Sequence, residues 1–287
     1  MGFLASWLAA QRVRRVVFIA GLFPLPGLSM LGAATVIMTA SVRGPREAAF
    51  ECGLALLLLS GIAWASGMHV PVVAGSAALS WSVWLLLGAI NGRSGSLQLA
   101  IQAAVLLALA GLVILLVTVG DGVVYWQQVL DAVYQDLAEQ GVKVEANVAQ
   151  QAGLMNGLIV AGSFLGSILA LLLGSFWASK ITNGDFSRQF RELRLGYVIG
   201  GLAALAGIAA LAGLANGGAV LIFGAAFMFQ GIGVVAWWSG SMGWPRGWWI
   251  GLCILPILIP NLLILGLMLF ATIGFIDNWY SLRRKLA

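Results

Sequence analysis

The chain has 287 residues, of which 61% are hydrophobic and only 9% are charged, and its mean hydropathy is +1.00. Apolar runs of about 20 residues, long enough to cross roughly 30 Å of hydrocarbon, recur from end to end and exclude a water-soluble protein. The net charge of +5 comes from short flanks between these runs, which is typical of the positive-inside bias and does not indicate nucleic acid as a partner. We therefore predict an all-α, polytopic transmembrane helix bundle, with residues 1–287 forming a single membrane domain.

The first part of the chain combines a basic N-terminus with a proline-broken apolar segment. Residues 1–15 are expected to form a short helix on the cytoplasmic surface rather than a removable signal peptide. Segment 16–41 contains Pro24-Leu25-Pro26-Gly27, which breaks a helix and leaves two halves that are each too short for a full span. A re-entrant or tightly tilted hairpin is predicted there, and a single kinked span stays open as the alternative.

The remaining apolar segments set the topology. They are predicted at 49–66, 71–89, 97–119, 153–179, 195–215, 218–239 and 248–276, which makes about eight to ten embedded segments. The last segment carries Pro256 and Pro260 and is predicted to be broken like the first. Because basic connections stay in the cytoplasm, we expect a bacterial inner-membrane protein with both termini cytoplasmic.

Two polar connections have structure of their own. Within the acidic connection 120–152, which is expected to be extracytoplasmic, apolar residues at helical spacing predict an amphipathic helix, either a surface connector or a lid over a cavity. Within the cytoplasmic connection 180–194, Asp185 is expected to cap a short helix. Its basic stripe consists of Arg188, Arg191 and Arg194. This stripe is predicted to bind anionic lipid head groups or a partner protein.

The polar residues inside the spans are few. Glu51 is expected to pair with Arg43 or Arg46 or to reach the interface, and a functional role is the alternative. The candidate ligand-binding residues are Asn156, Gln230 and Asn261. These amides either line a ligand cavity or satisfy the backbone of a broken helix.

Catalytic and metal chemistry is not predicted. The single histidine, His69, and the two isolated cysteines, Cys52 and Cys253, do not supply a metal site at any known spacing. No phosphate-binding loop and no nucleophile–base pair is recognisable. The sequence thus predicts a protein that is not an enzyme and needs no cofactor. Small residues at steps of four, from Gly162 to Gly174, predict a close helix contact.

Two stretches resemble the YybS-like family of bacterial membrane proteins, whose function is unknown. The first is the loop that contains Gly184-Asp185-Phe186 and continues through Arg194, and the second is the tail from Gly274 to Arg284, where an aspartate precedes an aromatic residue and paired arginines. That family is remotely similar to the S components of energy-coupling-factor transporters and to MreD-type cell-shape proteins. The resemblance implies a small-molecule-binding or transport component as the first hypothesis, and a non-enzymatic scaffold that recruits cell-envelope proteins as the second.

Overall fold

The computed structural model describes residues 2–25, 27–119, 122–141, 148–214, 217–243 and 260–285. In this part of the chain every regular element is a helix, so the predicted all-α class is confirmed. In chain order the helices are α1 (Gly2–Ala10), α2 (Arg12–Leu22), α3 (Ser29–Val42), α4 (Pro45–Ala65), α5 (Val70–Ser94), α6 (Leu97–Val119), α7 (Val123–Glu139), α8 (Val148–Thr182), α9 (Phe186–Arg191), α10 (Gly196–Leu211), α11 (Gly218–Ser241), α12 (Pro260–Tyr280) and α13 (Leu282–Lys285).

Five of the described helices are long and apolar enough to cross a membrane, which makes the chain a multi-pass integral membrane protein. The apolar stretches that qualify are Pro45–Ala65, Val70–Ser94, Leu97–Thr118, Gln151–Thr182 and Gly218–Ser241. Three shorter apolar helical stretches accompany them, at Ser29–Val42, Gly196–Leu211 and Ile264–Tyr280. Short apolar helices at membrane depth are tolerated where other parts of the protein satisfy their ends.

The chain divides into two compact units. Unit 1 comprises Met1–Ala104 and Leu165–Leu193, and unit 2 comprises Val105–Phe164 and Arg194–Ala287. Helices α6 and α8 each contribute one part to each unit. The units are therefore not consecutive along the sequence, and hydropathy alone did not indicate this division.

In unit 1 the first apolar segment is a helical hairpin. Helix α2 ends at Leu22, α3 begins at Ser29, and a Cβ atom on Gly32 would lie 3.5 Å from the carbonyl oxygen of Ile19. The outer ends of the hairpin also lie together, because Arg43, at the end of α3, donates to the carbonyl of Ala9, just before α2, at 2.7 Å. With 11 and 14 residues, the two helices are about 17 and 21 Å long, shorter than a full span.

Glycines allow α3 to contact two neighbouring helices in unit 1. A Cβ atom on Gly88 of α5 would lie 2.8 Å from the Ile37 carbonyl, and one on Gly174 of α8 would lie 2.7 Å from the Ala34 carbonyl. Small residues permit this approach of backbones. Among the glycines of the stretch predicted to make a close contact, Gly174 makes one, whereas a Cβ atom at Gly162 or Gly166 would meet open space.

In unit 2, helices α11 and α12 pack closely against each other in antiparallel directions. A Cβ atom on Gly231 would overlap the Phe270 carbonyl, and one on Gly274 would overlap the Phe227 carbonyl.

Helix α7 occupies the predicted amphipathic stretch, and Gly141 follows its end with a φ of 81°. For the last apolar segment, the structure describes α12 from Pro260 onward. The expected break at Pro256 lies outside the described residues.

Candidate functional site

A cluster of charged side chains lies at one end of unit 1, and we call it the N-terminal ion cluster. Its members are Arg12, Arg15, Arg43, Glu47 and Glu51. At its centre Arg15 binds Glu51 with both arms of the guanidinium, Nε to Oε2 at 2.8 Å and Nη2 to Oε1 at 2.5 Å. The side chains of Arg15 and Glu51 are 1% and 0% exposed. A bidentate pair of this kind is the strongest geometry available to an arginine and a carboxylate.

The same arginine also closes the end of a helix. Arg15 Nη1 donates to the carbonyls of Leu8 and Ala9, both at 3.1 Å, and Arg43 donates to Ala9 as well. These carbonyls are among the last of α1 and lack partners within the helix. A cation at the C-terminal end of a helix is also favoured by the helix dipole. The cluster therefore joins α1, α2, α3 and α4.

The expected partner of Glu51 was wrong. Arg43 pairs with Glu47 at 3.1 Å instead, and Glu51 pairs with Arg15, 36 residues earlier. Arg46 is exposed. The local spacing along α4 favoured a nearby arginine, whereas the rotation of α2 against α4 determined which cation reaches the buried carboxylate.

A second buried polar cluster, which we call the Asp277 cluster, lies in unit 2. Asp277 is fully buried and accepts from Arg283, with Nη2 to Oδ2 at 2.6 Å and Nε to Oδ1 at 3.4 Å. Gln230 is also fully buried, and its Nε2 donates to Asp277 Oδ2 at 3.0 Å. The carboxylate thus has both a counter-ion and a neutral donor, as a buried charge requires.

The Asp277 cluster holds the start of α10. Gln230 Oε1 accepts from the backbone N–H of Leu195 at 2.9 Å. Asn278 accepts from the N–H of Gly196 at 2.9 Å and donates to the carbonyl of the same residue at 3.0 Å. The φ of Gly196 is 83°, a conformation that favours glycine. Side-chain amides thereby satisfy backbone groups at a helix start, where no intrahelical partner exists.

The three candidate ligand-binding residues are not in equivalent surroundings. Both ends of the Gln230 amide bind the protein itself, Oε1 at the Leu195 N–H and Nε2 at Asp277. Asn156 is 5% exposed, and its Oδ1 accepts from the Trp126 indole N–H at 2.6 Å. Asn261 lies in the first turn of α12, and its side chain lies outside the described residues.

The contact of Asn156 holds α7 against the N-terminal half of α8, and the described residues show a second side-chain contact of this kind. The second joins the Tyr134 hydroxyl to the Gln151 side-chain carbonyl, a very short hydrogen bond. Glycines with positive φ flank α7, Gly122 at 65° and Gly141 at 81°.

The three arginines of the predicted surface separate into two environments. Asp185 caps α9 as predicted, accepting from the Arg188 N–H at 2.9 Å. Arg188 is exposed and pairs with Glu192 at 3.0 Å, and Arg191 donates to the Ser187 carbonyl at 3.2 Å. Arg194 instead donates to the Asn278 carbonyl at 3.1 Å and belongs to the Asp277 cluster. Only Arg188 and Arg191 lie on α9.

The sequence did not indicate the roles of the buried Arg15, Asp277 and Asn278, or of the partly buried Arg283. One pair had a local signal in the sequence. Asp277 ends an apolar run, and Arg283 follows only six residues later, so a turn between them brings the arginine to the carboxylate. In the part of the chain that the structure describes, no group of three or more His, Cys, Asp or Glu side chains is placed to hold a metal ion. No protein-family model, curated protein or solved structure matches the chain.

Proposed function

We propose that this integral membrane protein is a non-enzymatic scaffold of the cell envelope, with a cationic cytoplasmic surface for a partner protein. The observation that carries the proposal is that both ends of the buried Gln230 amide bind the protein, at Asp277 and at the Leu195 backbone. Asn156 is likewise bound to Trp126. Buried polar networks that are fully satisfied rigidify a fold, which suits a scaffold better than a ligand-binding site.

The docking surface is the short helix α9. Asp185 fixes its first turn, and Phe186 stacks on Phe190 with the ring centroids 6.1 Å apart. Arg188 extends from this support and its side chain is 70% exposed. Arg188 pairs with the exposed Glu192, but an exposed ion pair of this kind contributes little. An acidic surface of a partner can therefore compete for Arg188, since complementary charge directs association.

The proposal is tested by photocrosslinking in cells from position 187, an exposed serine on α9. A discrete protein adduct is expected, and it should disappear when Arg188 and Arg191 are both changed to Glu. The matched control places the crosslinker at Ser94, an exposed residue of another basic connection, where no such adduct is expected. Adducts with lipid alone, or a protein adduct that survives the charge reversal, would contradict the proposal.

A transport component is the second candidate function, and the attachment of α7 favours it. An amphipathic helix held by Trp126–Asn156 and Tyr134–Gln151 between two positive-φ glycines has the form of a closed lid. If α7 is a lid, a ligand should stabilise the purified protein, by about 2.7 kcal/mol at a hundredfold excess over its Kd. Thermal unfolding with a panel of vitamins and nucleosides tests this candidate, and the absence of any shift would count against it.

The location in a bacterial inner membrane with cytoplasmic termini, and membership in the YybS-like family, are further parts of the proposal. The arginines of the N-terminal ion cluster and of the α12–α13 end support the location, because basic residues remain on the cytoplasmic side. The test is labelling of intact cells with an impermeant thiol reagent, after removal of Cys52 and Cys253. A cysteine at position 187 should be protected and one at position 135, on α7, should react. The reverse pattern would overturn the topology.

A further inference from the structure

A cavity in unit 1 separates the small-residue face of α1 from the C-terminal end of α8. Its volume is about 370 Å³, within the range of ligand pockets. The lining includes Ala5, Ser6, Ala9, Ala10, Lys180 and Ile181. Its walls are therefore apolar, with one ammonium group and one hydroxyl, and none of the lining residues is acidic.

The neighbouring surface of α1 has the character of a membrane interface. Phe3 and Trp7, one helical turn apart, are both exposed, Phe3 to 82%. Ala5 and Leu8 lie on the opposite side of α1 and pack against Trp177 of α8. Aromatic side chains are enriched at the interface between membrane and water, so this exposed aromatic pair suits a position beside the lipid head groups.

The charges around the cavity are positive. Lys180 is exposed, its Nζ lies 5.3 Å from the centroid of the Phe176 ring, and it makes no ion pair with a described carboxylate. Arg14 lies over the Trp7 ring at 5.0 Å, on the outer side of the same helix. The indole N–H of Trp177, which is 1% exposed, has no acceptor within the described residues. Of these groups only Lys180 lines the cavity, so an anion at its mouth would meet the ammonium group of Lys180.

We propose that this cavity binds one anionic phospholipid. The phosphate of the head group pairs with Lys180, and an acyl chain occupies the apolar space between α1 and α8. Charge complementarity and the exposed aromatic pair of α1 select a lipid as the occupant, because a water-soluble anion would leave the apolar walls unfilled. This site is separate from the docking surface on α9 and does not depend on the proposed scaffold function.

Native mass spectrometry of the purified protein released from nanodiscs tests the site. The nanodiscs contain phosphatidylcholine with a minor fraction of phosphatidylglycerol. We expect selective retention of phosphatidylglycerol, and Lys180→Gln should lower that retention about fivefold, the factor for roughly 1 kcal/mol per cation. Arg93→Gln, which removes an exposed cation of another basic connection, should leave retention unchanged.

Two further arms distinguish a lipid site from general surface charge. Ser6→Leu adds apolar volume inside the cavity and should lower retention of both lipids while the melting temperature stays near that of the wild type. Soluble glycerol phosphate should fail to displace the bound lipid, because it lacks the acyl chain. Equal losses for Lys180→Gln and Arg93→Gln, displacement by glycerol phosphate, or equal retention of the two lipids by the wild type would overturn the proposal.

Discussion

The buried pair of Arg15 and Glu51 makes a quantitative prediction possible. Glu51→Leu removes the carboxylate that accepts two hydrogen bonds from Arg15 and leaves a guanidinium that is 1% exposed. Its remaining partners are the carbonyls of Leu8 and Ala9, and a Glu47 oxygen 3.6 Å away. The substitution therefore leaves an incompletely compensated charge inside the protein.

The expected cost follows from these remaining contacts. Removing one partner of a buried ion pair costs about 3–5 kcal/mol. We expect the lower end, about 3 kcal/mol, because the Glu47 carboxylate and the two carbonyls of α1 still compensate Arg15. For a chain of this size the melting temperature should fall by about 6–12 °C, at about 2–4 °C for each kcal/mol.

The double variant Arg15→Met/Glu51→Leu provides the sharper test. It leaves no buried charge at this position, so it should be more stable than Glu51→Leu alone, although the Leu8 and Ala9 carbonyls lose Arg15 as a donor. A double-mutant cycle should give an interaction energy of at least about 1 kcal/mol. The measurement is thermal unfolding in detergent, followed by circular dichroism.

An exposed ion pair serves as the control for this prediction. Arg188→Gln breaks the pair with Glu192, whose partners are 70% and 60% exposed, and should cost no more than about 0.5 kcal/mol. If Glu51→Leu were as mild as Arg188→Gln, or if the double variant were no more stable than Glu51→Leu, the N-terminal ion cluster would not stabilise the fold as described.

Three other substitutions test single features. Gly231→Ala places a Cβ atom against the Phe270 carbonyl and should lower the free energy of unfolding by about 1–3 kcal/mol, measured by thermal unfolding. Gly224→Ala, on the same helix but facing open space, should leave it unchanged. Equal effects of the two substitutions would refute the contact. Trp126→Phe removes the donor to Asn156 and should speed hydrogen exchange in α7 alone; unchanged exchange would rule out an attachment there. Asp185→Ala should lower the stability of α9 by about 1 kcal/mol and increase proteolysis within residues 180–194. Asp185→Asn keeps a hydrogen-bond acceptor and should leave this segment as resistant to proteolysis as in the wild type.

The local features of the fold could be predicted from the sequence. The break in segment 16–41, the amphipathic α7 and the Asp185 cap each depend on residues that are close together in the chain. Proline and glycine interrupt a helix wherever it packs, and an aspartate at a helix start binds the N–H groups of the next turn. Hydropathy likewise identified the long apolar helices, because a helix that crosses the hydrocarbon needs about 20 predominantly apolar residues.

The contacts between helices needed the tertiary structure. Nothing in the spacing of residues indicated that Glu51 would meet Arg15 across 36 positions, or that Gln230 would bind Asp277 across 47. Partners on different helices depend on the rotation and the depth of each helix, and many rotations expose an equally apolar surface to lipid. Composition and local pattern therefore determined which segments are helical and where they break, whereas the packing of α2 on α4 and of α11 on α12 decided which polar side chains are buried together.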